Sequence, residues 1–292
     1  MSRPDTLPRL LAVGHVTWDK RPEGDVAGGS VTYATATARK LGWEAAALTT
    51  CGPEFDEKDM LPGVPVFLQR SPATTRFVNE YGPDGVRHQV LLARAGQVHV
   101  GPLPDEWRRP DVLLLAPLAG EIEGALAPSF EAEAVGAVAQ GWVRDFASDG
   151  TVSPREWRDP GAALAGVHAL FVSQHDLPPG GPQPRDFLTW VPMVAVTRGW
   201  RGAILHTREA THDVPGLPRP EVDPTGAGDV FAAAFLVRYH ETGDPLEAAA
   251  FANCAASCAV EGVGASSLGD RVEVERRMEE RTKRVEDAEW DE

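Results

Sequence analysis

The sequence has few cysteines and no long apolar run, and each shortage excludes a class of protein. Three cysteines in 292 residues cannot form a disulfide framework, so we expect a reducing, cytoplasmic location. Cys254 and Cys258 lie one helical turn apart but lack the second pair that a zinc site needs, which favours simple packing. No stretch approaches the ~20 apolar residues of a membrane helix. We therefore expect no membrane association.

Basic residues are also few: 28 lysines and arginines face 43 acidic residues, which leaves a formal charge of −15. A nucleic-acid-binding surface needs a basic face, so no nucleic-acid partner is expected, although one local anion site remains compatible. The eight histidines are scattered without an HExxH pattern, and no GxSxG elbow occurs. These absences speak against a zinc protease and a serine hydrolase.

Strand-like and helix-like segments alternate along the sequence, which is typical of α/β proteins. Residues 9–16 form a short apolar run, a small-residue helix follows and is closed by Gly42, and residues 44–50 indicate the next strand. Strand, helix and strand at this spacing predict a βαβ unit and a parallel sheet. Further elements are expected as core strands at 111–116, 134–139, 169–173 and 191–197, packed helices within 230–260, and a charged surface helix over 270–292.

A series of strand-like segments interrupts this alternation of strands and helices. Strand-like segments run from 64 to 98, with turn residues at 82–85, and we predict a β-lid insertion over roughly 64–98. Such an insertion acts as a flap or a subunit contact, or it simply extends the sheet edge, and the sequence leaves these alternatives open. Residues 151–159 are expected to form a loop.

The strongest local signal is EVDPTGAGDVFAAAF at 221–235. Gly226, Ala227 and Gly228 allow a tight turn, and the helix that begins there adds its positive dipole end, so the segment predicts an anion cradle. Asp229 falls in the first helical turn. A carboxylate there suits a general base that takes a proton from an alcohol as the oxygen attacks phosphorus. It equally suits a helix cap, and local chemistry leaves both roles open.

The motif DPTGAGD, preceded by TRGWRG and followed by the Asn253 helix, resembles the ribokinase-like (PfkB) carbohydrate kinases over nearly the whole chain. No GxGxxG follows the first strand, which argues against a dinucleotide-binding fold. The resemblance implies a single domain over 1–292, a three-layer α/β/α sandwich with a mostly parallel sheet and a small β-lid. It also implies a kinase that uses ATP with Mg²⁺, and in some members K⁺.

The resemblance assigns roles to individual positions. Asp229 corresponds to the catalytic base, and residues 226–228 correspond to the anion hole over the transferring phosphoryl group. The acceptor hydroxyls are assigned to Asp19, Gly28 and Gly29. The nucleotide is assigned to Ser173, Thr197, Gly199, Gly202, Asn253, Gly262 and Gly264. A monovalent cation is assigned to Asp223 and Thr225.

Two positions depart from the family pattern. Ser173 and Asp176 stand where the family often carries Asn-x-x-Glu to organise magnesium, so Asp176 is the candidate magnesium ligand. Tyr33 stands where ribokinase-type members place an asparagine after the diglycine. We therefore expect a sugar-specific hydrogen bond to be absent and ribose to be disfavoured as acceptor.

Several stretches, including LAGEI at 118–122 and AQGWVRDFASDGTV at 139–152, resemble the myo-inositol kinases within the family. This resemblance places Arg144 near the acceptor or the phosphoryl path, although a structural ion pair would also explain an arginine there. The favoured function is phosphorylation of myo-inositol or another small polyol. The alternatives are a kinase of another sugar or nucleoside, or a catalytically silent binding protein of the same fold. The chain is expected to be a monomer or a homodimer formed through the β-lid.

Overall fold

The apolar runs of the chain assemble into one large and two small sheets. The computed structural model describes residues 9–81, 87–157, 159–177 and 181–290, so the turn expected at 82–85 lies outside the described residues. The strands in chain order are β1 (Arg9–Gly14), β2 (Thr17–Lys20), β3 (Val26–Gly28), β4 (Glu44–Cys51), β5 (Val66–Arg70), β6 (Thr75–Tyr81), β7 (Arg87–Ala93), β8 (Val112–Ala116), β9 (Ala134–Val138), β10 (Arg144–Phe146), β11 (Val152–Pro154), β12 (Ala169–Ser173), β13 (Met193–Thr197), β14 (Gly202–Thr207) and β15 (Thr211–Pro215).

The main sheet has nine strands in the order β15-β14-β13-β12-β9-β8-β1-β4-β5. The strands from β13 to β5 pair in parallel, and β14 and β15 add antiparallel edge strands. The central strands are buried on both faces, which is why they read as continuous apolar runs such as the VLLLA of β8. The four core strands expected after residue 100 are confirmed as β8, β9, β12 and β13.

The β-lid is built differently from the prediction. The small sheet has the order β3-β2-β6-β7, whereas β5 lies at the edge of the main sheet, parallel to β4. The stretch 64–98 is therefore divided between two sheets, and the small sheet, which we call the lid sheet, also takes β2 and β3 from the N-terminal segment. The loop expected at 151–159 is wrong in part, because β11 forms a hairpin with β10 through the Phe146–Val152 pairing.

The described residues also contain six helices: α1 (Ser30–Lys40), α2 (Glu57–Met60), α3 (Pro160–Ala163), α4 (Ala227–Thr242), α5 (Pro245–Ala259) and α6 (Arg271–Trp290). The long helices α1, α4 and α5 share one core with one face of the main sheet. Cys254 and Cys258 are buried in it on α5, and burial raises their thiol pKa values to about 12 and about 11, as expected for packing residues. None of the helices in the described ranges is long and apolar enough to cross a membrane.

The opposite face of the sheet is covered by shorter segments. Its core contains Trp142 stacked on Trp157, with ring centroids 5.1 Å apart, and Phe187 against Trp157. Within the described ranges this layer contains α3 and short 3₁₀ turns rather than long helices. The α/β class with a large, mostly parallel central sheet is confirmed, with one thick and one thin outer layer.

The start of α4 lies at the carboxyl edge of the parallel strands. His240, in the last turn of α4, has its Nε2 3.0 Å from Oε2 of Glu133, the residue before β9. The end of α4 therefore lies at the amino edge of the sheet, and its beginning lies near the opposite edge, where β12 and β13 also end. In open α/β sheets this edge is where ligands bind.

Candidate active site

The turn before α4 has the geometry of an anion cradle. Gly226 is the N-cap of α4 with φ +82°, in the left-handed region that favours glycine. The N–H groups of Ala227 and Asp229 donate to Pro224 O and Gly226 O at 3.2 and 3.0 Å, whereas Gly228 N–H has no such partner in the described part of the chain. A helix N-terminus with such N–H groups attracts negative charge.

Asp229 is the third residue of α4 rather than its cap. The cap position belongs to Gly226, where no side-chain cap hydrogen bond forms. Asp229 is partly buried at the rim of the cradle. The N-cap role is therefore wrong, and the role of general base stays a prediction.

Tyr33 of α1 lies directly against the cradle. A Cβ atom added to Gly226 would meet ring carbons of Tyr33 at 2.4 Å, and Tyr33 is only 2% exposed. Burial, together with the neighbouring carboxylates of Asp19, Asp223 and Asp229, raises the pKa of the Tyr33 phenol. The ring therefore lies among three carboxylates that come from distant parts of the chain.

The diglycine segment packs against Asp19, and the assignment of these residues to the acceptor stays a prediction. A Cβ atom on Gly28 would lie 2.5 Å from Asp19 Oδ2, and one on Gly29, whose φ is +88°, would lie 2.7 Å from His15 O. The Thr17 hydroxyl donates to Asp19 Oδ1 at 3.1 Å, and Asp19 is 7% exposed. The close packing explains why glycines are needed beside this carboxylate.

Arg144 forms a buried ion pair with Asp176. Its Nε and Nη2 atoms donate to Asp176 Oδ1 at 3.1 and 2.7 Å, and its Nη1 donates to Gln89 Oε1 at 3.0 Å. Gln89 in turn donates to Asn79 Oδ1 at 2.8 Å, so the contacts run from the end of β12 to the lid sheet. The ion-pair alternative for Arg144 is thus present. Arg144 donates to one oxygen of Asp176, and a role for Asp176 as a magnesium ligand stays a prediction.

Several positions assigned to the nucleotide lie at the ends of β12 and β13 and in the turn that leads into β14. Ser173 and Thr197 are register partners at the ends of β12 and β13, and Gly199 and Gly202 both have positive φ angles in the turn that follows. Asn253 donates from Nδ2 to Val214 O and Pro215 O at 2.9 and 3.3 Å, so this amide ties α5 to β15.

The loop after α5 approaches the lid sheet. At Gly264, which has φ +66°, an added Cβ atom would lie 3.4 Å from Val26 of β3. Gly262 precedes it in the same loop, where an added Cβ atom would meet Ser267 at 2.8 Å. The loop assigned to the nucleotide and the lid sheet are therefore neighbours.

Asp223 is engaged by two partners. Its Oδ2 accepts from Arg21, and its Oδ1 accepts from Thr225 N at 3.0 Å. Burial would raise the pKa of Asp223, but the Thr225 and Arg21 hydrogen bonds outweigh it and hold that pKa below its usual value. Sequence reasoning missed Arg21, whose one available signal was its position two residues after Asp19.

A second missed residue, Glu121, organises the ends of β1 and β8. It is 1% exposed, and its carboxylate accepts from the N–H groups of His15, Leu118 and Ala119 at 2.7–3.0 Å. The adjacent His15 ring contacts the hydroxyl of Thr75 at the start of β6, at 2.8 Å. This buried network joins the main sheet to the lid sheet.

Comparison with known families adds to this geometry. Residues 138–270, which include the cradle and Asp229, match the model described as pfkB family carbohydrate kinase. This part of the chain is therefore similar to the PfkB-family carbohydrate kinases. The predicted family is thereby confirmed.

Individual relatives resemble this chain over different lengths. The ATP-dependent ribose-1-phosphate kinase of Halopiger xanaduensis is 34% identical over 116 residues, 38% of each chain. The chain spans only 38%, 31% and 26% of the length of the first three curated relatives it matches. The cytidine kinase of Thermococcus kodakarensis is 26% identical over 82% of this chain and 90% of its own.

Solved structures support the same fold. A pyrophosphate-dependent kinase of the ribokinase family, complexed with a pyrophosphate analog and myo-inositol, has a TM-score of 0.76 at 21% identity, covering 91% of this chain and 99% of its own. The ribokinase of Thermotoga maritima has a TM-score of 0.70 at 20% identity, covering 92% and 98%. At these identities the likeness establishes the ribokinase-like fold.

Proposed function

We propose that this PfkB-family protein transfers the γ-phosphoryl group of ATP to a hydroxyl of a small polyol or sugar, with myo-inositol as the favoured acceptor. The observation that carries the proposal is that three groups from distant parts of the chain lie around Tyr33. The Gly226 turn packs on its ring, and Asp19 and Asp229 both lie near its phenol. A phosphate-binding turn and two carboxylates for hydroxyl groups thus share one space.

In this proposal each residue has a separate task. Asp229 takes the proton of the attacking hydroxyl, and the N–H groups of residues 226–228, with the helix dipole, stabilise charge on the transferring phosphoryl group. Asp19 and the diglycine backbone orient the other hydroxyls of the acceptor. The nucleotide lies along Thr197, Gly199, Gly202 and the loop containing Gly262 and Gly264. Magnesium bound with the nucleotide would offset phosphate charge, and we assign it no protein ligand.

The choice of myo-inositol rests on chemistry and on the fold neighbours. A ring of hydroxyls offers both donors and acceptors, which suits a site of carboxylates and amides such as Asn79 and Gln89 on the lid sheet. One neighbouring structure carries myo-inositol. In another, two leucine substitutions converted a myo-inositol-1 kinase into a myo-inositol-3 kinase.

Two alternatives have specific support. The relatives that phosphorylate ribose 1-phosphate and cytidine favour a sugar phosphate or nucleoside as acceptor. The pyrophosphate-dependent neighbours favour pyrophosphate as donor. A binding protein without turnover is the third alternative. A cytoplasmic location, and a lid sheet that either covers the acceptor or joins two copies, remain predictions.

The deciding experiment measures phosphoryl transfer with Mg–ATP, and in parallel with pyrophosphate, across myo-inositol, ribose, ribose 1-phosphate, fructose, fructose 6-phosphate and cytidine. We expect acceptor-dependent ADP release that falls about 10²–10⁴-fold in Asp229→Asn. Glu247→Gln is the matched control, because Glu247 occupies the same third position in α5, where it pairs with Arg238.

Each outcome has a definite meaning. Activity that Asp229→Asn retains would contradict the assigned base. Donor binding without transfer to any acceptor would favour the binding protein. Absence of both donor binding and transfer would reject the proposal.

A further inference from the structure

We infer that Arg21 takes the place of a monovalent cation at Asp223 and Thr225. The family resemblance assigns such a cation to these two residues, and the guanidinium of Arg21 supplies the same single positive charge. The protein would then fold and act without potassium. The inference rests on the site of the proposed function. One fold neighbour, a fructokinase, was solved with a bound potassium ion. The residues present here do not fit a bound monovalent cation.

The contacts at Asp223 occupy the oxygen atoms that a cation would need as ligands. Arg21 Nη2 donates to Asp223 Oδ2, and the N–H group of Thr225 donates to Asp223 Oδ1 at 3.0 Å. A potassium ion between Asp223 and Thr225 would need these same oxygen atoms. It would also have to lie beside the guanidinium, which carries the same charge.

Burial makes the pairing important. The Asp223 side chain is 6% exposed and that of Arg21 is 26% exposed. A carboxylate with so little access to water needs a nearby positive charge, and removing one partner of such a pair leaves an uncompensated buried charge. The raised pKa of Arg21 has the matching cause, since the Asp223 hydrogen bond outweighs the effect of burial.

The origin of the two residues shows what the pair connects. Arg21 lies in the turn between β2 and β3 of the lid sheet, 202 positions before Asp223. Asp223 donates its own N–H to Val260 O at 3.1 Å, and three residues later Gly226 begins the anion cradle. A charge carried by the lid sheet therefore holds the loop that leads into the phosphate-binding turn.

The central test uses thermal unfolding, which requires no turnover. The protein is exchanged into tetramethylammonium buffer and melted with KCl or tetramethylammonium chloride at equal ionic strength. We expect no potassium-specific shift for the wild type. Arg21→Ala removes the charge and opens space beside Asp223, so potassium at about 20 times its dissociation constant should raise the melting temperature by about 3 °C.

Matched variants isolate the charge. Arg21→Lys retains it and should not respond to potassium, and Arg21→Ala/Asp223→Asn removes the carboxylate as well and should also not respond. Arg238→Ala loses a comparable pair with Glu247 far from the site and controls for nonspecific salt effects. If Arg21→Ala fails to fold in every salt, Arg21→Met, which better preserves side-chain volume, takes its place.

The outcomes separate this inference from the proposed function. A potassium-specific shift in the wild type, or none in Arg21→Ala and Arg21→Met, would overturn the role of Arg21. If acceptor-dependent transfer is found, it should be equal in potassium and tetramethylammonium for the wild type and potassium-dependent for Arg21→Ala. If no transfer is found in any salt, the proposed function fails while the melting experiment still decides the role of Arg21.

Discussion

Replacing Gly226 by alanine tests whether the cradle geometry depends on the close approach of Tyr33. Two costs arise. A non-glycine residue at φ +82° pays about 1–2 kcal/mol for the left-handed conformation. The new Cβ would also lie 2.4 Å from Tyr33 ring carbons, and overpacking a buried ring costs about 1–3 kcal/mol more. We therefore expect Gly226→Ala to lower the free energy of unfolding by about 2–5 kcal/mol.

Gly243 at the other end of α4 provides the matched control. Its φ is +71°, and an added Cβ atom would meet no other atom within 4 Å. Gly243→Ala should therefore cost only the conformational part, about 1–2 kcal/mol. The difference between the two variants measures the contact with Tyr33 on a common helix.

Urea unfolding followed by circular dichroism measures both variants. The double variant Gly226→Ala/Tyr33→Leu should lose less stability than the two single changes added together, because the smaller side chain leaves room for the methyl group. Equal losses in Gly226→Ala and Gly243→Ala, or strict additivity with Tyr33→Leu, would refute the argument. Under the proposed function, Gly226→Ala should also reduce phosphoryl transfer, whereas Gly243→Ala should not.

Two further predictions concern charged groups. Arg144→Ala should cost about 3–5 kcal/mol in urea unfolding, because it leaves the carboxylate of Asp176 buried and unpaired; a loss below 1 kcal/mol would contradict the importance of this ion pair. At the start of α6, hydrogen bonds from Arg276 and Arg277 hold the pKa of Glu273 at about 2, below its ordinary 4.5. The folded state favours the charged form, so this stabilisation is fully present above pH 4.5 and is lost as the pH falls towards 2. The melting temperature of Glu273→Gln should therefore fall less than that of the wild type over this range.

The sequence was informative where structure follows from local pattern. Strand β8 is buried on both faces and reads as VLLLA, so its place in a parallel sheet could be predicted. The cradle could be predicted as well, because glycines followed by a helix start occupy consecutive positions from Gly226. Both features need only neighbouring residues to be recognised.

The sequence was uninformative where a choice between partners decides the structure. The sequence of β5 is as strand-like as those of β6 and β7. Only its pairing with Ala47–Cys51 in the structure places it in the main sheet. The partner of Arg21 lies 202 positions away, and that of Arg144 lies 32 positions away. No periodicity or spacing marks such pairs, so the lid boundaries and the charge balance of the site required the structure.

Two arginine–aspartate pairs, Arg21–Asp223 and Arg144–Asp176, lower the local negative charge in a chain of net charge −15, which under the proposed function favours an anionic donor. Arg21 belongs to the lid sheet, and Arg144 belongs to the β10–β11 hairpin, which is joined to β7 by the Val90–Thr151 bridge. Each arginine reaches an aspartate on a loop that follows or precedes a core element, Asp176 after β12 and Asp223 before α4. The charges of Asp176 and Asp223, which neither bind the acceptor nor take its proton in the proposed function, are thus balanced within the protein. Under the proposed function, Asp19 and Asp229 face the hydroxyl groups of the acceptor. Pairing Asp176 and Asp223 with arginines leaves fewer uncompensated carboxylates to repel an anionic donor.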